Sequence, residues 1–340
     1  MGINEFLKTI LEWIYSFVGN YGWAVVLFTL LVRLIVMPFD YKSRVGMRKM
    51  QKIAPMQAKL QKKYEKDPDK MNKKLQELYR EQRVNSLSSC LPMLISLPIL
   101  FAMFTAMRMV ANEHLAQQAF DIIASGNPAL DSWLWVKNVW MPDSPFAAAW
   151  PNLDSLRQIA TNEWLAVFNK LPQETLALLA DKGLALTAES FAGDALNTTI
   201  QTIYTTMEQL PAYMEHVKYY SDLAIPLFNI HIFVNYNGYF ILPILAAGGQ
   251  FLMTKLTGTA QTPAADDAQA QQAQNSMKFM NYFFPIFTLI LCFNYNAIFA
   301  LYWVASNVIA IVQTKGINMY LDRKEALEAA NPNKNTGSLK

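Results

Sequence analysis

The chain of 340 residues balances 29 Lys and Arg against 26 Asp and Glu, with 53% apolar and 13% aromatic content. Its apolar residues are gathered into runs that carry almost no charge, whereas a soluble amphipathic helix intersperses charges every few residues, so a purely soluble globule is excluded. The formal charge of +3 says little as a sum, but its distribution along the chain decides the topology.

Residues 1–20 place Ile3, Phe6, Leu7, Ile10, Ile14 and Phe17 at helical spacing, with Asn4, Glu5, Lys8, Thr9 and Glu12 on the other face. That pattern predicts an amphipathic helix lying along a membrane surface. It is acidic and amphipathic rather than basic and then apolar, so no cleavable signal peptide is expected. After Gly19-Asn20, residues 21–39 form the first predicted transmembrane span, flanked by Tyr21 and Trp23 and ending near Pro38. Within this run sits one full charge, Arg33, with no acidic residue in the span. A guanidinium stays protonated in a protein and needs water, a phosphate or a partner charge. Arg33 either snorkels to nearby headgroups or marks a functional site.

Residues 40–86 carry fourteen Lys and Arg against six Asp and Glu, which marks a cytoplasmic loop. Met50, Ile53, Leu60 and Tyr64 predict one helix, and Met71, Leu75, Leu78 and Gln82 a second. Asp67-Pro68-Asp69 between them supplies a capping acid and a proline for the first helical turn, giving a helical hairpin with narrow apolar stripes. Its charge suits a solvated face with anionic lipid, or contact with ribosomal RNA or a nascent chain.

Residues 87–110 are the second span, with Pro92, Pro98, Ser89 and Ser96. Residues 111–238 turn acidic, with thirteen Asp and Glu against five Lys and Arg, and read as an extracytoplasmic helical insertion with helices over 157–171 and 174–191. Its early tryptophans, among them Trp133, Trp135 and Trp140, are expected on the headgroup layer. Residues 239–256 are the third span, 257–278 a cytoplasmic linker, 279–294 the fourth span, 297–314 the fifth, and 315–340 a polar cytoplasmic tail. The fold class is therefore an all-α membrane protein with five transmembrane helices, N-terminus outside and C-terminus cytoplasmic. Cys90 and Cys292 fall in apolar runs and read as core residues, not a disulfide or metal site.

Polar side chains recur on these spans. Thr29 and Arg33 are four apart on the first, Ser89 and Ser96 seven apart on the second, and Trp303 and Asn307 four apart on the fifth, with Gln250 on the third. Each spacing puts its pair on one helix face. Singly, such residues bond between helices; converging, they would line a wet cavity in which Arg33 is the fixed charge. The apolar parts of the fourth and fifth spans are roughly 23 Å long at 1.5 Å per residue, short of a hydrocarbon core of about 30 Å, which favours local thinning. No metalloprotease HExxH, nucleophile-elbow GxSxG, P-loop or dinucleotide-binding glycine pattern is present, and the spans hold no His, Asp or Glu to serve as a base. Neither an enzyme nor a cofactor is expected.

Five stretches carry a resemblance: LLVRLIVMP around Arg33, MQKIAPMQAKLQKKYEKDPDK in the hairpin, VNSLSSCLPMLISLPI, ILPIL and ALYWVASN. In this order they resemble the YidC family of bacterial membrane protein insertases, in its short form without the large N-terminal β-domain. The resemblance implies a five-helix core with a hydrophilic groove open to cytoplasm and lipid, Arg33 as the groove arginine, and Tyr302 and Trp303 as a substrate-contacting aromatic pair. Gln250 and Asn307 are further groove residues on this reading. It implies as partners nascent membrane proteins and the lipid bilayer, with the ribosome and Sec translocon as further candidates, a monomer as the working unit, and the bacterial plasma membrane as its place. Ser88-Ser89 stands where the family usually has glycines, and roughly ninety residues of the insertion have no counterpart in the short form. A small-solute transporter and an assembly scaffold are the alternatives; the first should show inverted repeats, which the sequence lacks, and the second has no need of a buried arginine.

Overall fold

A computed structural model describes residues 2–82, 91–217, 220–225, 228–257 and 268–330. The described chain is mostly helical. Among these residues two helices, Tyr21–Lys63 and Ala297–Leu327, are long and apolar enough to cross a membrane, and Ile241–Leu256 and Tyr282–Asn294 are shorter apolar helices. The chain divides into two compact units, the first comprising Met1–Phe28, Phe101–Ala247 and Thr288–Val304, the second Thr29–Leu100, Gly248–Phe287 and Ala305–Lys340.

In the first unit, α1 (Ile3–Val18) ends on Gly19 in the left-handed conformation, whose amide bonds back to the Tyr15 carbonyl. Its apolar face is one broad arc, with Leu11 and Ile14 toward one edge buried and Ile3, Phe6, Trp13 and Phe17 exposed. Lys8 is paired with Glu113 of α4 (Leu91–Ser125), which ties the two helices together. The helix α4 continues well past residue 110, because Leu115, Ala116, Ala119, Phe120 and Ile123 give its last turns a buried face. That extension is the post around which the insertion packs: Phe120 meets Trp164 edge-on at 5.6 Å, and Asn112 donates to buried Glu163 at 2.6 Å.

The insertion is built of shorter helices than its periodicity predicts: α5 (Leu153–Arg157), α6 (Thr161–Phe168), α7 (Gln173–Asp181), a 3-10 turn at Ala188–Phe191, α8 (Ala195–Glu208) and α9 (Pro211–Val217). The breaks follow Pro172, Gly183, Gly193 and Pro211, where proline ends a hydrogen-bonded run and the two glycines adopt positive φ. An antiparallel ribbon of β1 (Tyr220–Ile225) and β2 (Phe228–Phe233), with Ile225 opposite Phe228, interrupts the expected all-helical pattern. Its Ile and Phe content favours extended backbone. The tryptophans depart from expectation too. Trp133, Trp140, Trp150 and Trp164 are core residues, not headgroup anchors, because aromatic rings bury the most apolar area available to a small domain.

Asp131 shows how this core is wired. The Trp140 indole donates to it at 2.5 Å, and the His114 ring nitrogen lies 3.2 Å away. Burial pushes its carboxyl up, but the bonds from His114 and Trp140 outweigh that and hold it below the usual carboxylate range. A depressed folded value stabilises the fold above the unfolded pKa of about 3.9 and loses that contribution as pH falls through the folded value. The melting temperature of the protein minus that of Asp131→Asn should therefore shrink as detergent-solubilised samples are taken from pH 7 to pH 3. A gap that stayed constant over that range would refute the assignment.

The helix α2 (Tyr21–Lys63), most of which belongs to the second unit, does not stop at Pro38. It runs through Pro38 and Pro55 as one 43-residue helix, so the expected break between residues 39 and 40 is absent from it. Each proline forfeits a single backbone bond, which helix-forming neighbours can offset. At α3 (Pro68–Glu81) the Asp67 carboxylate accepts the Lys70 amide at 3.0 Å with Pro68 opening the helix, the arrangement its sequence predicts. α10 (Ile241–Thr257), α11 (Ala268–Asn294) and α12 (Ala297–Ala330) follow, with a short turn at Tyr295-Asn296 between the last two. Both α11 and α12 outrun their apolar segments.

Candidate functional site

On α2, Thr29, Arg33, Asp40, Arg44, Arg48 and Lys52 follow one another at steps of four or seven, which keeps them on one face. On α12, Ser306, Thr314, Asn318, Asp322 and Glu325 follow at steps of eight, four, four and three, which keeps them to one side of that helix. Within the second unit these faces meet in parallel register, Arg33 beside Ser306, Arg44 beside Thr314, Arg48 beside Asn318 and Asp322, and Lys52 beside Glu325. The product is a continuous polar seam along two helices that are otherwise apolar for much of their length.

The seam is graded in charge. Arg33 donates from Nε at 3.1 Å and Nη2 at 2.5 Å to the Ser306 hydroxyl, a neutral acceptor that is itself buried. Among the described residues no carboxylate lies in ion-pair range of Arg33. Gln313 donates from Nε2 to the Arg33 backbone carbonyl at 3.0 Å, while its own Oε1 is buried without a hydrogen-bond partner among the described residues. A buried amide oxygen left in that state costs about 1–3 kcal/mol. Farther along α2, burial pushes the Asp40 carboxyl up against the opposing pull of Arg33 and Arg44. Ion pairs from α12 to the basic row are made, among the described residues, at its far end, where Arg48 meets Asp322 at 2.7 Å and Lys52 meets Glu325 at 3.2 Å. Those acids are well exposed, so the pairs stabilise by no more than about 1 kcal/mol each.

Of the residues singled out from sequence, Thr29 is buried one turn before Arg33. Asn307 is buried against the backbone of α10: a Cβ placed on Gly249 would lie 3.0 Å from the Asn307 Cβ, so glycine lets the two helices approach closely. Gln250 follows Gly249 and is half-buried. Tyr302 and Trp303 belong to the first unit, Tyr302 buried and Trp303 edge-on to Phe299 at 5.5 Å. Ser89 lies outside the described residues, and the side chain of Ser96 likewise. Sequence reasoning passes over Ser306 and Gln313. Ser306 stands inside the quoted ALYWVASN stretch, but only the register of α12 against α2 shows that it meets the arginine. Among the described residues no group of His, Cys, Asp and Glu could hold a metal ion.

Residues 13–324 match the model of a family described as 60Kd inner membrane protein. Curated relatives named Membrane protein insertase YidC include that of Wolinella succinogenes, 45% identical over 98 residues, which is 29% of this chain and 18% of the relative. That of Caldanaerobacter subterraneus subsp. tengcongensis is 43% identical over 106 residues, 31% of this chain and 52% of the relative. That of Pelobacter propionicus is 44% identical over 97 residues, 28% of this chain and 18% of the relative. The matched part thus spans from 18% to 52% of these relatives' own length.

Proposed function

Since the chain belongs to the 60Kd inner membrane protein family, we propose that it is a membrane protein insertase and chaperone. Five spans, N-terminus outside and C-terminus cytoplasmic, carry a water-filled groove around Arg33. The groove admits the polar or acidic outer segment of a nascent membrane protein, and the substrate's apolar helix then passes sideways into lipid. The observation that carries this reading is the hydroxyl partner of Arg33, which orients the guanidinium without neutralising it.

Physics supplies the sequence of events. At an effective dielectric of about 20, a carboxylate brought to about 4 Å from a guanidinium gains about 4 kcal/mol before desolvation is charged against it. The attraction holds the outer segment at partial depth. Burial of the following apolar side chains, at roughly 25 cal/mol per Å², then drives release into lipid. Thr29, Gln250 and Asn307 would contribute hydrogen bonds to the groove, and Tyr302 and Trp303 a sliding surface for the substrate helix. Ser89 and Ser96 belong to the same proposal from their spacing. Nascent chains and the bilayer are the partners on this reading, with ribosome and Sec translocon as further ones and a monomer as the working unit.

Site-specific photocrosslinking tests it. A photoreactive residue at Trp303 should capture a stalled single-span nascent chain, while one at Leu178, exposed on the insertion, should not. Equal capture at both positions, or none at Trp303, would rule out the substrate path drawn here.

A further inference from the structure

Toward the end of α2, beyond Arg33, the polar seam widens into a cavity of about 490 Å³. Its lining includes Arg44, Arg48, Lys52, Leu256, Asp322 and Glu325, three cations against two carboxylates. The cations all come from α2 and the carboxylates all from α12. Arg44 is the most committed of them. It is half-buried and donates to the Thr314 hydroxyl, and its guanidinium is pulled down from its usual value by burial, with Asp40 opposing. A desolvated guanidinium beside a neutral hydroxyl gains most from an oxyanion that can accept two parallel N–H bonds, which a phosphate does.

Depth narrows the source of that phosphate. The apolar run of α2 ends at Phe39, and Arg44 lies five residues on, about 7.5 Å at helical rise. The headgroup layer is about 5–8 Å thick on each side of the hydrocarbon core. Leu256, another wall of the cavity, is the last residue of the apolar helix Ile241–Leu256. Two apolar helix ends therefore bring this cavity to the level where lipid phosphates sit, and Leu256 with Met47 offers an apolar wall to the glycerol and upper acyl carbons.

We propose that the cavity is a binding site for the phosphate of an anionic phospholipid, anchored by Arg44, with Arg48 and Lys52 turning toward it from Asp322 and Glu325. The two exposed carboxylates act as competitors that keep the site weak until a lipid arrives. The inference is independent of substrate insertion and needs only that these helices cross a bilayer.

Native mass spectrometry of the full chain, released from nanodiscs of phosphatidylcholine with phosphatidylglycerol, reads the site directly. The wild type should retain one phosphatidylglycerol that Arg44→Gln loses by about tenfold, Arg44→Lys retaining part of it, because a point charge lacks the planar fork. Lys63→Gln, at the end of α2 outside the cavity, should retain lipid as the wild type does. Asp322→Asn with Glu325→Gln should retain more. Circular dichroism confirms that each variant is folded. Equal retention by folded Arg44→Gln would overturn the proposal. So would protection of the site by millimolar inorganic phosphate with no competition from phosphatidylglycerol, which would make it a free-phosphate site, and so would displacement of the lipid by an acidic peptide at matched charge, which would make it a substrate station.

Discussion

Arg33→Ala should lower the insertion of single-span substrates with acidic outer segments by about tenfold, a loss of about 1.4 kcal/mol, with Arg33→Lys falling between. The gross attraction of about 4 kcal/mol at close range is reduced by the cost of stripping water from both charges, which sets the smaller net figure. Lysine keeps the charge but not the fork that lets Nε and Nη2 share the Ser306 hydroxyl. Ser306→Ala should weaken insertion less than Arg33→Ala, since it frees the guanidinium without removing it. Substrates with neutral outer segments should be affected least. Protease protection of substrates inserted into vesicles holding the purified protein measures all of these. Unchanged insertion of acidic substrates by Arg33→Ala would leave wetness of the groove, not charge, as the working feature.

The second large effect is expected far from the arginine. Asn237 is fully buried, and its amide nitrogen donates to the carbonyls of Asn138 at 2.8 Å, Met141 at 3.0 Å and Pro142 at 2.8 Å. Its side-chain oxygen accepts the Asn138 amide at 2.8 Å. One residue thus ties the loop after α4 to the loop before α10, and Asp143 completes the join by accepting the Leu242 amide at 2.7 Å. The same loop receives the first amides of α12, Ala297 onto Met141 and Ile298 onto Val139, both at 2.9 Å. Asn237→Ala strands several buried backbone groups at about 1–3 kcal/mol each, so a loss of roughly 3–5 kcal/mol is expected. For a unit of this size that lowers the melting temperature by about 10 °C. Asn237→Asp should do no better, since it keeps the acceptor but sets a buried carboxylate oxygen against three carbonyl oxygens. A shift below about 2 °C for the alanine variant, within what an ordinary surface substitution does, would mean that the loops are held by packing instead.

The insertion shows where periodicity misleads. Residues 157–171 and 174–191 look helical because apolar residues recur at the right interval, yet the first range breaks between Arg157 and Thr161, and the second turns at Gly183, whose left-handed backbone outweighs the pattern. Tryptophan composition misleads in a related way. Indoles are frequent at membrane interfaces, but Trp140 and Trp164 serve a core that the sequence does not announce, because their partners, Asp131 and Phe120, lie on other segments of the chain. At the site, Arg33 stands out in sequence because a lone charge in an apolar run has few physical explanations. Ser306 does not stand out, since a hydroxyl on a helix is unremarkable until a guanidinium is seen beside it.

Local physics was therefore enough for the apolar helices, the acid-capped start of α3 and the isolated arginine, all of which depend on residues within a few turns of one another. Family membership was legible for the same reason, in short stretches whose order along the chain is specific. What needed the folded chain was pairing at a distance: the parallel register of α2 against α12, the ion pairs of Arg48 and Lys52 with α12, and the asparagine joint between two loops about a hundred residues apart. Helical periodicity fixes which residues share a face but not which face of another helix it meets, and that choice is made by close approaches such as Gly249 on Asn307, which arise only when the helices pack.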